Sequence, residues 1–138
     1  MNNKIYKPLI DKLFVATLAI VAVLLAVMTV ISAMFPISLA VTLPIDFSVF
    51  YIIISPLYGY VELREKSVFI KFGFFLKKEI PYSKIKDVKS DRKFYSESMI
   101  ALKNAVEHVN IRYNKFDVVT VSVVNNEAFV AELKERIK

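Results

Sequence analysis

Two long apolar stretches open the chain and dominate its hydrophobic pattern. The first, Leu13–Phe35, has no charged residue and only three polar ones, Thr17, Thr29 and Ser32. About 18 or more such residues can cross the ~30 Å hydrocarbon core of a bilayer as a helix. A buried helix of a soluble protein usually keeps one polar face, and this stretch has none. It also exceeds the apolar region of about 7–15 residues in a cleaved signal peptide. The pattern therefore predicts a membrane span.

The second apolar stretch, Ile37–Leu57, begins directly after Pro36 and contains one charged residue, Asp46. No hydrophilic loop separates the two stretches, so the sequence predicts a tight hairpin of two transmembrane helices, at about 13–35 and 37–57. A hairpin returns the chain to the side from which it entered.

Basic residues flank the predicted hairpin on both sides, whereas its turn has no charge. Lysine and arginine near the ends of spans stay in the cytoplasm. The sequence therefore predicts a multi-pass protein of the cell membrane with both termini cytoplasmic. The flanking residues are Lys4, Lys7 and Lys12 before the hairpin and Arg64, Lys66 and Lys71 after it.

Asp46 is the single ionisable residue within the two apolar stretches. An acid inside a membrane indicates a proton or cation site, which would make the chain a small transporter or channel subunit. The alternative rests on Pro44, because proline suits the first turn of a helix. Asp46 would then lie near a helix start at the outer interface, where the helix dipole favours an acid, and would be dispensable for folding.

From Tyr58 onward the hydrophobic period changes from a continuous run to alternation, which is typical of half-buried strands. The pattern predicts about six antiparallel strands, with Gly73 supplying a positive φ at the second turn. The predicted segments are a hairpin around Arg64–Ser67, strands at Phe74–Ile80 and Ile85–Ser90, a helical turn at Tyr82–Lys84, a loop at Asp91–Asn104, and strands at Ala105–Tyr113 and Phe116–Val124.

The chain closes with a predicted amphipathic helix at Asn125–Ile137. Phe129, Leu133 and Ile137 recur on one stripe at helical spacing, and Ser122 or Asn125 can cap the first turn. The fold class is therefore an α+β membrane protein. Residues 1–57 form the predicted anchor, and residues 58–138 form an antiparallel β domain capped by a helix.

Four stretches of residues 58–138 together form a recognisable pattern. They are Tyr60-Val61-Glu62-Leu63 with Val68-Phe69-Ile70, the run Lys77-Lys78-Glu79-Ile80-Pro81-Tyr82-Ser83-Lys84-Ile85-Lys86-Asp87-Val88, Val109–Tyr113 and Phe129–Leu133. On these stretches, residues 58–138 resemble the bacterial pleckstrin-homology-like domains, and in particular those that follow two N-terminal spans. The resemblance implies a PH-like half-barrel without enzymatic activity. Asn114 stands where members often have glycine after an Arg-Tyr pair.

Composition argues against catalysis. The chain has no cysteine, one histidine (His108) and two glycines, and its acids show no paired spacing. Thiol chemistry and disulfides are therefore excluded, and the pattern predicts no metal site, no phosphate loop and no cofactor. We predict that the protein is not an enzyme.

Residues 64–103 hold eleven Lys/Arg against five Asp/Glu, and seven of these basic residues, the basic run, fall within 17 positions. Such a cluster beside a span can hold anionic lipids, although it can also serve only to fix topology. The run comprises Lys77, Lys78, Lys84, Lys86, Lys89, Arg92 and Lys93.

Three functions remain open from the sequence. The first is a membrane-anchored module that binds a lipid headgroup or a protein partner at the inner membrane face. The second follows from the resemblance, since some similar anchored proteins confer immunity to bacteriocin peptides. The third is transport through Asp46. Nucleic-acid binding is disfavoured, because Phe72, Phe74 and Phe75 suit a core or a lipid contact better than base stacking.

Overall fold

The computed structural model describes residues 2–93, 95–98 and 101–138, and it contains three helices and eight strands in that part of the chain. In chain order the elements are β1 (Lys4–Tyr6), α1 (Lys12–Ser32), α2 (Pro36–Ile54), β2 (Tyr60–Leu63), β3 (Ser67–Lys71), β4 (Lys77–Pro81), β5 (Ile85–Arg92), β6 (Ala101–Leu102), β7 (Glu107–Tyr113), β8 (Asp117–Val121) and α3 (Asn126–Ile137). Short 3-10 turns follow α2 at Ser55–Tyr58 and β4 at Tyr82–Lys84.

The apolar hairpin consists of α1, α2 and the short turn between them. Asp11 caps α1 by accepting a hydrogen bond from the backbone N–H of Phe14 (2.8 Å), and Pro36 begins α2. The most apolar windows of the two helical segments have mean hydropathies of 2.9 and 2.1, and neither window is buried. Both helices are long and apolar enough to cross a membrane.

Asp46 lies in the middle of α2, so the prediction that it occupies a first helical turn was wrong. Pro36, rather than Pro44, takes the N-terminal position, and Pro44 lies inside the helix. At 1.5 Å per residue, Asp46 is about 15 Å from Pro36 and about 12 Å from Ile54 along the axis. Pro44 therefore does not mark the start of a helix, although proline is common in a first helical turn.

The remaining elements form two four-stranded sheets packed around one core. The strand orders are β1-β2-β3-β4 and β5-β7-β8-β6. Pairing is antiparallel, as predicted, except between β8 and the short strand β6, which run parallel; the sequence predicted a loop where β6 forms. The helix α3 packs against β5 and β7, and the largest fully buried side chains include Leu63, Ile70, Ile80, Leu102, Ile111, Phe129 and Leu133.

The N-terminal segment is part of this domain. In β1, Tyr6 lies opposite Val61 of β2. Further along, the N–H of Leu9 donates to the carbonyl of Ser122 and the N–H of Val124 donates to the carbonyl of Lys7, each at 3.0 Å. The apolar hairpin is therefore an insertion between two neighbouring strands of one sheet. The boundary predicted at residue 57 leaves β1 on the anchor side.

The closing helix α3 forms as its hydrophobic stripe predicts. Asn125 adopts a left-handed conformation (φ 62°) and its side chain accepts from the N–H of Ala128 at 3.3 Å. Phe129 and Leu133 are fully buried. The ring of Tyr6 meets Phe129 edge-on with 5.1 Å between centroids, which joins β1 to α3 through the core.

A carboxylate on α3 strengthens the same connection. Glu132 accepts hydrogen bonds from the ammonium of Lys4 and the hydroxyl of Tyr6, both at 2.6 Å, and from the guanidinium of Arg136 at 2.8 Å. The hydrogen bond from Lys4, followed by that from Tyr6, lowers the pKa of Glu132 to about 2. The network therefore holds Glu132 ionised and fixes the N-terminal strand against the helix.

Left-handed backbone occurs at asparagines in this protein. Asn114 (φ 51°) turns the chain between β7 and β8, and its side chain donates to Asp117 at 2.7 Å. Neither glycine has a positive φ, so the prediction for Gly73 was wrong. Asn114 thus supplies the left-handed conformation of this turn, which asparagine adopts more readily than most residues other than glycine.

Strand ends differ from the sequence pattern by a few residues. The strand predicted from Ala105 begins at Glu107, and β5 continues to Arg92. Within the predicted loop Asp91–Asn104, residues 101–102 form β6. Three residues of that predicted loop, Phe94, Met99 and Ile100, lie outside the described residues, as does Met1 of the predicted anchor.

Candidate functional site at the junction of hairpin and domain

The start of α1 is bonded directly to the domain through Asp11. Its backbone N–H donates to the carbonyl of Asn104 at 3.1 Å. One carboxylate oxygen caps α1, and the other accepts from the N–H of Val106 at 2.8 Å. A single short side chain therefore fixes the first turn of the helix on the segment before β7.

The end of α2 is equally constrained. Its 3-10 extension reaches Tyr58, and only Gly59 separates it from β2. The side chain of Asn104 donates to the carbonyl of Pro56 at 2.9 Å. A Cβ atom on Gly59 would clash with the side chain of Leu102 and lie 2.5 Å from the carbonyl of Lys71, so the chain passes too close for any side chain. The hairpin has no flexible linker at either end.

The turn between β3 and β4, residues 72–76, is seated on the end of α2. A Cβ atom on Gly73 would clash with the hydroxyl of Ser55, and that hydroxyl accepts from the N–H of Phe74 at 3.0 Å. The turn is closed by a hydrogen bond from the N–H of Phe72 to the carbonyl of Leu76 (2.8 Å). Glycine is therefore needed at position 73 for close approach.

Aromatic rings extend this contact outward. Tyr51 stacks on Phe74 with 4.8 Å between centroids, and Tyr58 lies 4.9 Å from the same ring. At the tip of the 72–76 turn, Phe75 and Leu76 are 80% and 61% exposed. The junction thus presents a rigid apolar tip beside the last turns of α2.

The structure separates the seven residues of the predicted basic run. Lys77 begins β4 beside this tip, and Lys78 donates to the hydroxyl of Tyr113 and lies 4.7 Å from its ring centre. Lys84 lies at the other end of β4, in the 3-10 turn, where its carbonyl accepts from the N–H of Asn114 at 2.9 Å.

The remaining members lie along β5 or just beyond it, and acids alternate with them. Lys89 pairs with Asp87 at 3.2 Å, and Lys93 pairs with Asp91 at 2.9 Å. The hydrogen bond to Asp91 raises the pKa of Lys93.

Two members of the run have other neighbours. Arg92 lies opposite Glu107, and Lys86 lies at an irregularity in the β5 register, between Ile85 and Asp87. The run does not form one positive face, and the assignment of these residues to lipid binding stays a prediction.

Asp46 has a hydroxyl partner inside the hairpin, and a second pair of hydroxyl groups also joins the two helices. Thr29 of α1 donates to its carboxyl group at 2.5 Å, and Ser32 and Thr42 lie within hydrogen-bond distance of each other at 3.0 Å. These four side chains form a polar seam between the two helices. Thr29 and Ser32 interrupt the first apolar stretch and could have indicated this seam, but the sequence did not show which helix face they occupy.

His108 is fully buried in β7, with Nδ1 2.9 Å from the carbonyl of Val106. Among residues 2–93, 95–98 and 101–138, no three acids, histidines or cysteines lie close enough together to hold a metal ion.

The two sheets and the closing helix lie mostly within a region that a protein-family model matches. The family model described as the bacterial PH domain matches residues 59–137, more than half of the chain. This chain belongs to the bacterial PH domain family. The matched part of this bacterial PH domain protein runs from β2 through α3, and it leaves out both β1 and the apolar hairpin. PH-like domains are generally non-enzymatic. No curated protein and no solved structure matches the chain.

Proposed function

We propose that this bacterial PH domain protein is a non-catalytic module anchored in the cell membrane. The apolar hairpin spans the bilayer, both termini are cytoplasmic, and the domain lies on the inner face, where it binds membrane lipids. The observation that carries the proposal is the junction. Because both ends of the hairpin are bonded into the domain, a spanning hairpin holds one fixed face of the domain against the membrane.

Exposed apolar side chains support the membrane span. Val30, Ile37 and Phe47 are 70%, 86% and 74% exposed, and they belong to a larger set of exposed apolar side chains along both helices. Soluble monomers rarely expose contiguous apolar patches larger than a few hundred Å². A bilayer would cover these side chains, and Tyr51 and Tyr58 at the domain end of α2 suit the interfacial aromatic belt.

The position of the hairpin between β1 and β2 supports placing both termini on one side. These strands pair with each other, so the chain must cross the membrane twice between them. Lysines precede α1 and basic residues follow α2, whereas the turn at 33–35 carries no charge. Such a distribution favours cytoplasmic termini.

Other partners stay predictions. A membrane protein could bind the same face, and immunity to a bacteriocin peptide has no specific support in the geometry. Transport through Asp46 also stays a prediction. The hydrogen bond from Thr29 on α1 gives Asp46 a role in holding the two helices together. Two helices alone cannot line a pore, which also disfavours transport.

The absence of cysteine allows a direct test of the topology. We expect the thiol introduced by Ser38→Cys, near the hairpin turn, to react with a membrane-impermeant maleimide in intact spheroplasts. A Ser83→Cys variant, in the exposed turn after β4, should react only after lysis. The parent chain is the unlabelled control. Reaction of the Ser83→Cys variant in intact spheroplasts, or protection of both variants until lysis, would contradict the proposal.

A further inference from the structure

We propose that Lys71 and Lys77, on the two sides of the 72–76 turn, bind the phosphate group of an anionic membrane phospholipid. This inference rests on the proposed membrane span and assigns a ligand to the membrane-facing end of the domain. The predicted basic run does not include Lys71, because the sequence alone does not show that this residue lies opposite Lys77.

The register of the β3–β4 hairpin brings these two lysines together. Lys71 ends β3, Lys77 begins β4, and they are directly opposite each other. Like charges at opposed positions of an antiparallel pair repel each other and destabilise the pairing. An anion placed between the two ammonium groups would reverse that cost.

The protein itself supplies no such anion in the part of the chain that the structure describes. Neither lysine has a carboxylate within 4.0 Å there, and the four remaining residues, Met1, Phe94, Met99 and Ile100, carry no carboxylate side chain. The ammonium of Lys71 lies 5.8 Å from the ring centre of Tyr60, a contact that leaves its hydrogen-bond donors free for a ligand. Lys89 and Lys93 are by contrast already paired with acids.

The position of the pair favours a lipid over a free anion. The 72–76 turn is fixed against the last turns of α2, so the depth of the hairpin in the membrane sets the depth of the turn. Phe75 and Leu76 project from the tip with most of their surface exposed. Lysine can keep its ammonium at the polar interface while apolar neighbours enter the acyl region. A phospholipid meets both requirements, because its phosphate lies between the lysines and its chains cover the tip.

The test uses the full chain in uncharged detergent, with bound lipid counted by native mass spectrometry. The ligands are phosphatidylglycerol, phosphatidylcholine and inorganic phosphate. We expect the parent to retain phosphatidylglycerol in preference to phosphatidylcholine. The double variant Lys71→Gln/Lys77→Gln should bind phosphatidylglycerol about 10- to 30-fold more weakly, because each interfacial lysine strengthens binding to an anionic lipid by about five-fold.

Two variants serve as controls for charge and for folding. Lys134→Gln/Lys138→Gln removes the same charge from the exposed face and end of α3 and should bind like the parent. Lys71→Arg/Lys77→Arg keeps the charge and should keep the preference. Equal binding by the parent and the Lys71→Gln/Lys77→Gln variant would overturn the inference, and so would displacement of phosphatidylglycerol by millimolar inorganic phosphate.

Cysteine labelling of the same variants separates the two proposals. If the Ser38→Cys and Ser83→Cys positions keep their expected sidedness while the lipid preference is missing, the lysine site is wrong and the membrane span stands. If the sidedness itself fails, the proposed function fails.

Discussion

Replacing Tyr6 by alanine is expected to lower the free energy of unfolding of the domain by about 3 kcal/mol. Tyr6 is 8% exposed, its ring packs edge-on against Phe129, and its hydroxyl donates to Glu132. Truncation removes buried apolar area, an aromatic pair and a hydrogen bond to a charged group, each a recognised source of lost stability. A domain of this size has only about 4–12 kcal/mol in total.

Ile5 provides a matched control on the same strand. Its side chain points to the other face and is 63% exposed, so Ile5→Ala should change the free energy of unfolding by less than about 0.5 kcal/mol. Both variants can be measured in the full chain in detergent, by pulse proteolysis of the domain across a urea series. We expect the midpoint to fall by about 2 M for Tyr6→Ala alone. Equal midpoints for the two variants would mean that β1 is not part of the fold.

Replacing Phe129 by alanine should be at least as damaging. The side chain is fully buried and packs against the ring of Tyr6, and such truncations cost about 3–5 kcal/mol because a cavity remains. Combining it with Leu133→Ala removes both fully buried apolar side chains of α3. We expect the double variant to be unfolded from β2 to β8, with rapid hydrogen exchange in those strands.

Phe116 offers the same chemical change at an exposed site. It lies in the β7–β8 turn and is 85% exposed, so Phe116→Ala should leave hydrogen exchange in the sheets unchanged. If strands β2–β8 stayed protected in the Phe129→Ala/Leu133→Ala variant, α3 would be a peripheral element and the single-core description would fail.

The hydrophobic pattern predicted those parts of the fold whose signal is local. The alternation in β2 and β3 and the stripe on α3 each repeat several times within one element, so the period identified them. The two apolar helices were predicted from another local signal, a continuous apolar run long enough to cross a bilayer. The helical turn at Tyr82–Lys84 was also predicted and forms directly after Pro81, which ends β4 because proline has no backbone N–H to donate to a neighbouring strand.

Other features depend on contacts between distant parts of the chain. The strand β1 has three residues, too few to show a period, and it forms because β2 returns to it after the whole hairpin. The parallel strand β6 has two residues, which is likewise too few to show a period. The sequence marks Gly73 as a turn residue. In the structure glycine is needed there because the hydroxyl of Ser55, at the end of α2, leaves no room for a Cβ atom.

The candidate site was only partly predictable for a related reason. A run of lysines in sequence gives charge density, but strand alternation and interleaved acids decide which charges are free. Lys89 and Lys93 are neutralised by Asp87 and Asp91, neighbours two positions away. Lys71 and Lys77 belong together only through the hairpin register.

The depth of the 72–76 turn tests most directly whether the junction holds the domain against the membrane. A nitroxide attached to cysteine in a Phe75→Cys variant, reconstituted in liposomes, should collide more often with oxygen, which partitions into lipid, than with a water-soluble nickel chelate. The same label in a Phe116→Cys variant should show the reverse. Equal and high accessibility of both labels to the nickel chelate would contradict a domain fixed on the membrane surface by its hairpin.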